Sequence, residues 1–181
     1  MIHLFTLGIF TEDKIGLLNR TTGIFTRRNI SIESLTVSET EITGVFRFNI
    51  KIKTTFEQVE KVKNQIEKLI EVIRVQVYEE HETIYQEIAL YKVPTVRLLE
   101  SDSIEKLIRK HAARILYVGP EFLVIEKTGH KEETQSLFQD LEEFGIIEFV
   151  RSGRIFVSKS TENLISYLSK NLESNTTLLQ N

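Results

Sequence analysis

The segment Glu12-Asp13-Lys14-Ile15-Gly16-Leu17-Leu18 follows the apolar run IHLFTLGIF and leads into an amphipathic stretch. A carboxylate and a glycine therefore stand where a strand hands over to a helix. Such a junction has one ready chemistry, the binding of an anion. The first N–H groups of a helix have no partner inside it, and they sit at the positive end of its dipole. Backbone around Ile15, Gly16 and Leu17 can thus receive a carboxylate. Glycine lowers helix propensity by about 1 kcal/mol relative to alanine, so its presence needs a reason. Three are open: close approach of a ligand, dihedral angles that other residues avoid, or close packing of the helix on a sheet.

Other chemistries find little support. The histidines His3, His81, His111 and His130 are scattered, and EEHETIYQE lacks the HExxH spacing that places two metal ligands on one helical face. No GxxxxGK(S/T), GxGxxG or GxSxG pattern occurs, and Ser152 and Ser160 have no histidine expected beside them. The absence of cysteine excludes disulfides, thiolate metal sites and a thiol nucleophile. A net charge of −3, from 23 basic and 26 acidic residues, argues for no nucleic acid and no anionic membrane. The N-terminus lacks a basic flank and a cleavage site, and no apolar run approaches about 18 residues. A cytoplasmic protein is expected, whose partner is a protein or a small molecule.

The elements that must position the glycine follow from periodicity. Ile2 to Phe10 is rich in strand formers, and Gly16 to Arg28 places Leu17, Thr21, Ile24 and Phe25 on one helical face. Ile32 to Ser38 alternates, the turn SETEIT follows, and Val45 to Lys53 alternates again, with Val45, Phe48 and Ile50 among its apolar residues. Phe56, Val59, Val62, Ile66, Leu69 and Ile70 form a second helical stripe before Val72 to Tyr78 returns to period two. The order is βαββαβ, a ferredoxin-like unit.

After the connector Glu79 to Thr83 the order repeats: a strand at Tyr85 to Val96, a helix face of Ile104, Leu107, Ile108 and His111, and strands at Arg114 to Val118 and Phe122 to Glu126 around Gly119-Pro120. A helix with Leu137, Phe138, Leu141 and Phe144 precedes a strand at Ile146 to Val150. A further strand at Arg154 to Ser158 and an amphipathic piece at Leu164 to Leu172 complete the second half. The fold class is α+β, with two ferredoxin-like βαββαβ domains: 1–80, 84–160, and a C-terminal helical tail at 161–181.

Several residues have ordinary explanations. Glu33 is expected on the solvent side of its strand, and Arg27-Arg28 suit the negative end of a helix dipole. The phenylalanines of VFRFNI suit a core better than an RNA-stacking face. The second-half loop PTVRLLESDSIEKL has no glycine and offers Ser101, Asp102 or Ser103 as a helix cap, so no matching ligand site is expected there.

The series IGLLNRTTGIFTRRNISIESLTV, with IEKLIEVIRV and IIEFVRSGRI, resembles the small regulatory subunits of acetolactate synthase, also called acetohydroxyacid synthase. The resemblance covers most of the chain. It implies an N-terminal ACT domain, a related C-terminal domain, and pairing of ACT domains in a homodimer. It further implies a non-catalytic chain that activates a large catalytic subunit and confers feedback inhibition by a branched-chain amino acid, most often valine. Thiamine diphosphate, Mg²⁺ and FAD would belong to that partner, with no cofactor in this chain. The implied effector contacts are Asp13, Ile15, Gly16, Leu17, Ser31 and Ile32. Many family members carry asparagine at the positions of Asp13 and Ser31, so this chain departs from the pattern at two contacts. The alternative is an ACT-domain amino-acid sensor acting on another enzyme or on transcription, although no basic recognition helix is visible.

Overall fold

The computed structural model describes residues 1–96, 103–162 and 164–169. Its first half runs β1 (His3–Glu12), α1 (Leu17–Arg27), β2 (Ile32–Glu39), β3 (Val45–Thr54), α2 (Phe56–Ile66) and β4 (Val72–Glu79), with sheet order β2-β3-β1-β4. Antiparallel register sets Phe5 opposite Ile52, Leu7 opposite Ile50 and Ile9 opposite Phe48. Side chains of a strand alternate, so these pairs share one face. Ile24 and Phe25 of α1 and Val59, Val62 and Ile66 of α2 close over it. The stripe Leu17, Thr21, Ile24 and Phe25 is the buried face of α1.

The second half repeats the topology with β5 (Thr83–Pro94), α3 (Ser103–Lys110), β6 (Arg114–Val118), β7 (Phe122–Gly129), α4 (Lys131–Leu141) and β8 (Glu148–Arg151). Its order, β6-β7-β5-β8, is the first sheet's order carried over strand for strand. Ala89, Tyr91 and Val93 of β5 meet Leu123 and Ile125 of β7, under Ile104, Leu137 and Leu141. The connector Glu80–Glu82 is a 3-10 turn, closed where the Glu82 carboxylate accepts the Glu79 N–H at 2.8 Å. The expected capping residues Ser101 and Asp102 lie outside the described residues, as does the end of the amphipathic piece beyond 169.

Three features go beyond the sequence reading. Val45 does not share the face of Phe48; it clusters with Phe10 and Leu164 on the opposite side of the sheet. Glu33 sits at a register shift between Ile32 and Ser34 and pairs with the nearly buried Lys51 at 3.1 Å. Glu33 is exposed as expected, and the added residue in its strand brings its carboxylate to Lys51 as well. Arg28 donates to Gln65 at 2.9 Å and to Gln58 at 3.4 Å, tying α1 to α2 beyond any dipole effect.

The last strand, β9 (Ile155–Ser158), pairs with the start of β5, Phe156 opposite Tyr85. It lies over the face of the first sheet that the helices leave bare. Phe156 is 5% exposed and packs edge-on against Tyr78 of β4 at 5.5 Å. Residues 164–169 are helical, and Leu164 packs on Phe10 and Val45 of the first domain.

Tyr91 gives the second core a pH limit. Its hydroxyl donates to the Thr134 carbonyl at 2.6 Å, and burial pushes the phenol up to about 12, with Arg151 only partly opposing the shift. The folded pKa lies above the unfolded one, so this contribution is complete below the unfolded value of about 10 and is lost as pH rises toward the folded value. Urea midpoints of the native chain are expected to fall across that interval, and Tyr91→Phe is expected to flatten the fall while costing about 1 kcal/mol at neutral pH. Parallel pH profiles of the two proteins would exclude Tyr91 as the source.

Candidate functional site

The glycine that opens α1 has φ 82° and ψ −6°, a left-handed conformation that side-chain-bearing residues avoid. A Cβ built on Gly16 would meet nothing within 4 Å. The packing explanation therefore fails: no neighbour requires the missing side chain, and the dihedral angles do. The open space around it also leaves the backbone approachable.

The helix start is uncapped. Gly16 supplies no side-chain acceptor, whereas Thr55 accepts the Gln58 N–H at 3.3 Å to cap α2. At α4 the Glu133 carboxylate accepts the His130 N–H at 2.7 Å. In α1 the Arg20 N–H reaches the Gly16 carbonyl at 3.0 Å and the Leu17 N–H reaches the Lys14 carbonyl at 3.2 Å. The N–H groups of Leu18 and Asn19 have no acceptor within the helix. The sequence reading expects an anion on the backbone around Ile15, Gly16 and Leu17; the free N–H groups stand one residue further on, at Leu18 and Asn19. Leu17 itself is committed, with its side chain in the core and its N–H bonded within the loop.

The loop is held from two sides. The Asp13 N–H donates to the Gly44 carbonyl at 3.1 Å, and the Glu12 N–H donates to the Glu71 carbonyl at 2.9 Å. Arg20 bonds the Glu71 carboxylate at 2.6 Å, and that bond holds the Glu71 carboxyl below its ordinary range. The Ile15 side chain is fully exposed, an apolar surface beside polar backbone. Neither the Asp13 nor the Ser31 side chain has a hydrogen-bond partner among the described residues, so neither caps the chain locally.

Asp13, Ile15 and Gly16 are contiguous in space; Ser31 and Ile32 are not with them. Ile32 stands opposite Ile52, which stands opposite Phe5, near the beginning of β1. Asp13 follows the end of β1, roughly 25 Å further along at about 3.3 Å per residue. One chain alone does not bring the expected contacts together.

Sequence reasoning passed over Gly8. It lies mid-strand between Asn49 and Gln76, and a Cβ there would stand 3.3 Å from the ring of Phe156. A glycine inside an apolar strand marks the close approach of another group, and that signal was legible in IHLFTLGIF.

The duplicated strand order, with a glycine-opened helix start in its first copy, defines a tandem ferredoxin-like protein of ACT type. The family model for the AHAS small subunit-like ACT domain matches residues 7–74, and that for the small subunit of acetolactate synthase matches residues 86–160. The acetolactate synthase small subunit of Mycolicibacterium smegmatis is 34% identical over 159 residues, covering 88% of this chain and 93% of that one. That of Haemophilus influenzae is 32% identical over 160 residues, covering 88% and 98%. The crystal structure of the acetolactate synthase small subunit from Thermotoga maritima superposes with a TM-score of 0.79 at 25% identity, covering 88% of this chain and 99% of that one. The chain belongs to the acetolactate synthase small-subunit family. Among the described residues no helix is long and apolar enough to cross a membrane.

Gly16→Ala is expected to lower stability by about 1 to 2 kcal/mol, the cost of a left-handed residue with a Cβ. Gly16→Asn is expected to cost less, since its side chain tolerates that region. Urea unfolding checks both, and an unchanged midpoint for the alanine variant would show that the loop relaxes freely.

Proposed function

We propose that this chain is the regulatory subunit of an acetolactate synthase, raising the rate of a large catalytic subunit and carrying feedback from a branched-chain amino acid, valine foremost. The observation that carries the feedback reading is the uncapped, left-handed Gly16 start of α1 in a member of this family. An effector carboxylate would lie on the Leu18 and Asn19 N–H groups, with its aliphatic side chain against Ile15. Thiamine diphosphate, Mg²⁺ and FAD belong, on this reading, to the catalytic partner in the cytoplasm. Residues 1–80 bind the effector and dimerise, 84–160 form the second domain, and 161–181 form a tail.

Separation of the two groups of contacts supports a homodimer. Strand β2 is an edge strand of its sheet, and unpaired edges pair readily with a second copy. Antiparallel pairing of β2 with its symmetry mate sets the start of one β2 against the end of the other. The end of β2 registers, through Phe46, with the end of β1 that leads into the loop. Ser31 and Ile32 of one chain would then approach the loop of its partner. An effector between the two chains would bias how they dock, a coupling typically worth about 1 to 3 kcal/mol.

The isolated protein is expected to be a dimer or larger, to condense no pyruvate, and to raise the rate of its catalytic subunit on mixing. Light scattering and reconstituted turnover test this. A one-chain mass, or an unchanged rate at saturating amounts, would overturn it.

Valine inhibition is expected to be weak. Asp13 within about 4 Å of a ligand charge changes binding by roughly 4 kcal/mol at an effective dielectric of about 20, favourably near ammonium and unfavourably near carboxylate. Ser31 is shorter than asparagine, and a lost hydrogen bond to a charged group costs about 1.5 to 3 kcal/mol. Asp13→Asn with Ser31→Asn is expected to restore sensitivity in a valine titration of the complex. Strong inhibition of the unmodified protein at micromolar valine, or no response to the double change, would reject this assignment.

A further inference from the structure

We propose that the cleft between the first sheet and β9 is a second ligand site, one that takes a small monocarboxylate with a short aliphatic side chain and anchors it on Arg47. This goes beyond the effector loop, from which it is separated by the sheet: α1 covers one face and the cleft lies on the other. The cavity measures about 450 Å³ and is walled by both domains, with Phe10, Ser38, Arg47 and Asn49 on one side and Phe156 and Ser158 on the other.

Arg47 is the reason to expect an anion. Its guanidinium lies 4.3 Å over the ring of Phe156 and 5.4 Å from that of Phe10, and it has no hydrogen bond and no carboxylate within 4.0 Å among the described residues. Neighbouring cations are paired: Arg74 with Glu162, Arg151 with Glu87, and Arg154 with Glu80 and Glu87. Desolvation makes the Arg47 charge less favourable than in water. Arg47 is half-buried, and its Nε–H is fully enclosed without a hydrogen-bond partner among the described residues; a guanidinium only donates, so the group that suits it is an acceptor. Asn49 is 7% exposed and its Oδ1 has no partner, while its amide nitrogen donates to Thr36 at 3.0 Å. Gly8 lies beneath the pair of Arg47 and Phe156, where a Cβ would press on the Phe156 ring at 3.3 Å and touch Arg47 Nη2 at 3.6 Å.

The charge of the walls selects the ligand. Arg47 faces the cavity without an ion pair within 4.0 Å, under the longer-range field of Glu41, and Glu39, Glu41 and the Arg74-paired Glu162 line it as well. Those carboxylates repel a phosphate dianion about twice as strongly as a monocarboxylate, and a zwitterion, whose net charge is zero, least of all. An ammonium group beside that carboxylate would gain from Glu41, so an amino acid is favoured over the plain acid. Phe10, Phe156 and Leu164 supply apolar contact for an aliphatic side chain. A ligand so placed touches strands of the first domain and β9 of the second, and therefore ties the two together.

Calorimetry and side-chain NMR on the full-length chain, with isobutyrate, valine and inorganic phosphate as probes, test the site. Isobutyrate and valine are expected to bind saturably, valine more tightly, and to shift the Arg47 Nε–H resonance; phosphate is expected not to. Arg47→Met is expected to weaken isobutyrate binding about tenfold or more, the loss of a hydrogen bond between charged groups. Gln76→Glu, which sets a carboxylate in the same cavity, is expected to abolish binding in a chain that keeps its core. The Asp13→Asn, Ser31→Asn protein is expected to bind isobutyrate normally, which separates this site from the effector loop. The proposal is overturned if Arg47→Met and Gln76→Glu both bind isobutyrate as the native chain does, if the Arg47 resonance is unmoved at saturation, if phosphate binds equally well, or if only the loop variant loses binding.

Discussion

Strand β1 is buried on both faces, and much of the molecule follows from that. Every residue from Phe5 to Thr11 is buried. The helix-facing residues are covered by α1 and α2, as a ferredoxin-like unit requires. The other face carries Thr6, Gly8 and Phe10, and helices of the same domain cannot reach it. It is covered instead by β9, whose Phe156 sits over Gly8 and beside Arg47. Burying a phenylalanine is worth about 1.5 to 3 kcal/mol, so this contact helps hold the two domains together.

The same sheet sets the geometry of the loop. β1 ends where Glu12 and Asp13 bond to the carbonyls of Glu71 and Gly44, which fixes the backbone just before Gly16. With its approach held on both sides, the chain enters α1 through a left-handed residue, and glycine meets that requirement at low cost. An uncapped helix start is the result. The two groups of resemblance-derived contacts lie at opposite ends of parallel-running strands, so symmetry between two copies is the natural way to unite them in the proposed dimer.

Around β9 the polar groups are arranged unequally. Arg154 is 3% exposed, lies 3.4 Å over the Tyr85 ring, and meets Glu80 at 3.3 Å and Glu87 at 3.9 Å. Breaking such a buried pair leaves an uncompensated charge, although the intact pair adds little net stability. Its worth lies in specifying how β9 and β5 meet. Arg47, stacked on Phe10 and Phe156, has aromatic faces without an acceptor among the described residues, and that difference distinguishes a structural cation from one available to a ligand.

The amino-acid sequence by itself determined the local order. The apolar residues of α1 at helical spacing, the strands of the first half at β1, β2, β3 and β4, and the repeated βαββαβ order all reappear in the structure, because they depend on neighbours within a few positions. It also marked Gly16 as unusual without deciding why. Only the tertiary structure did that, since the reason lay in a backbone angle and in the empty space around a missing side chain. The face occupied by Val45, the partner of Glu33, the landing place of β9 and the distance from Asp13 to Ser31 were likewise decided in three dimensions. Each depends on residues far apart in the chain, such as Gly8 and Phe156, and periodicity reports which side of an element is apolar but not what will cover it.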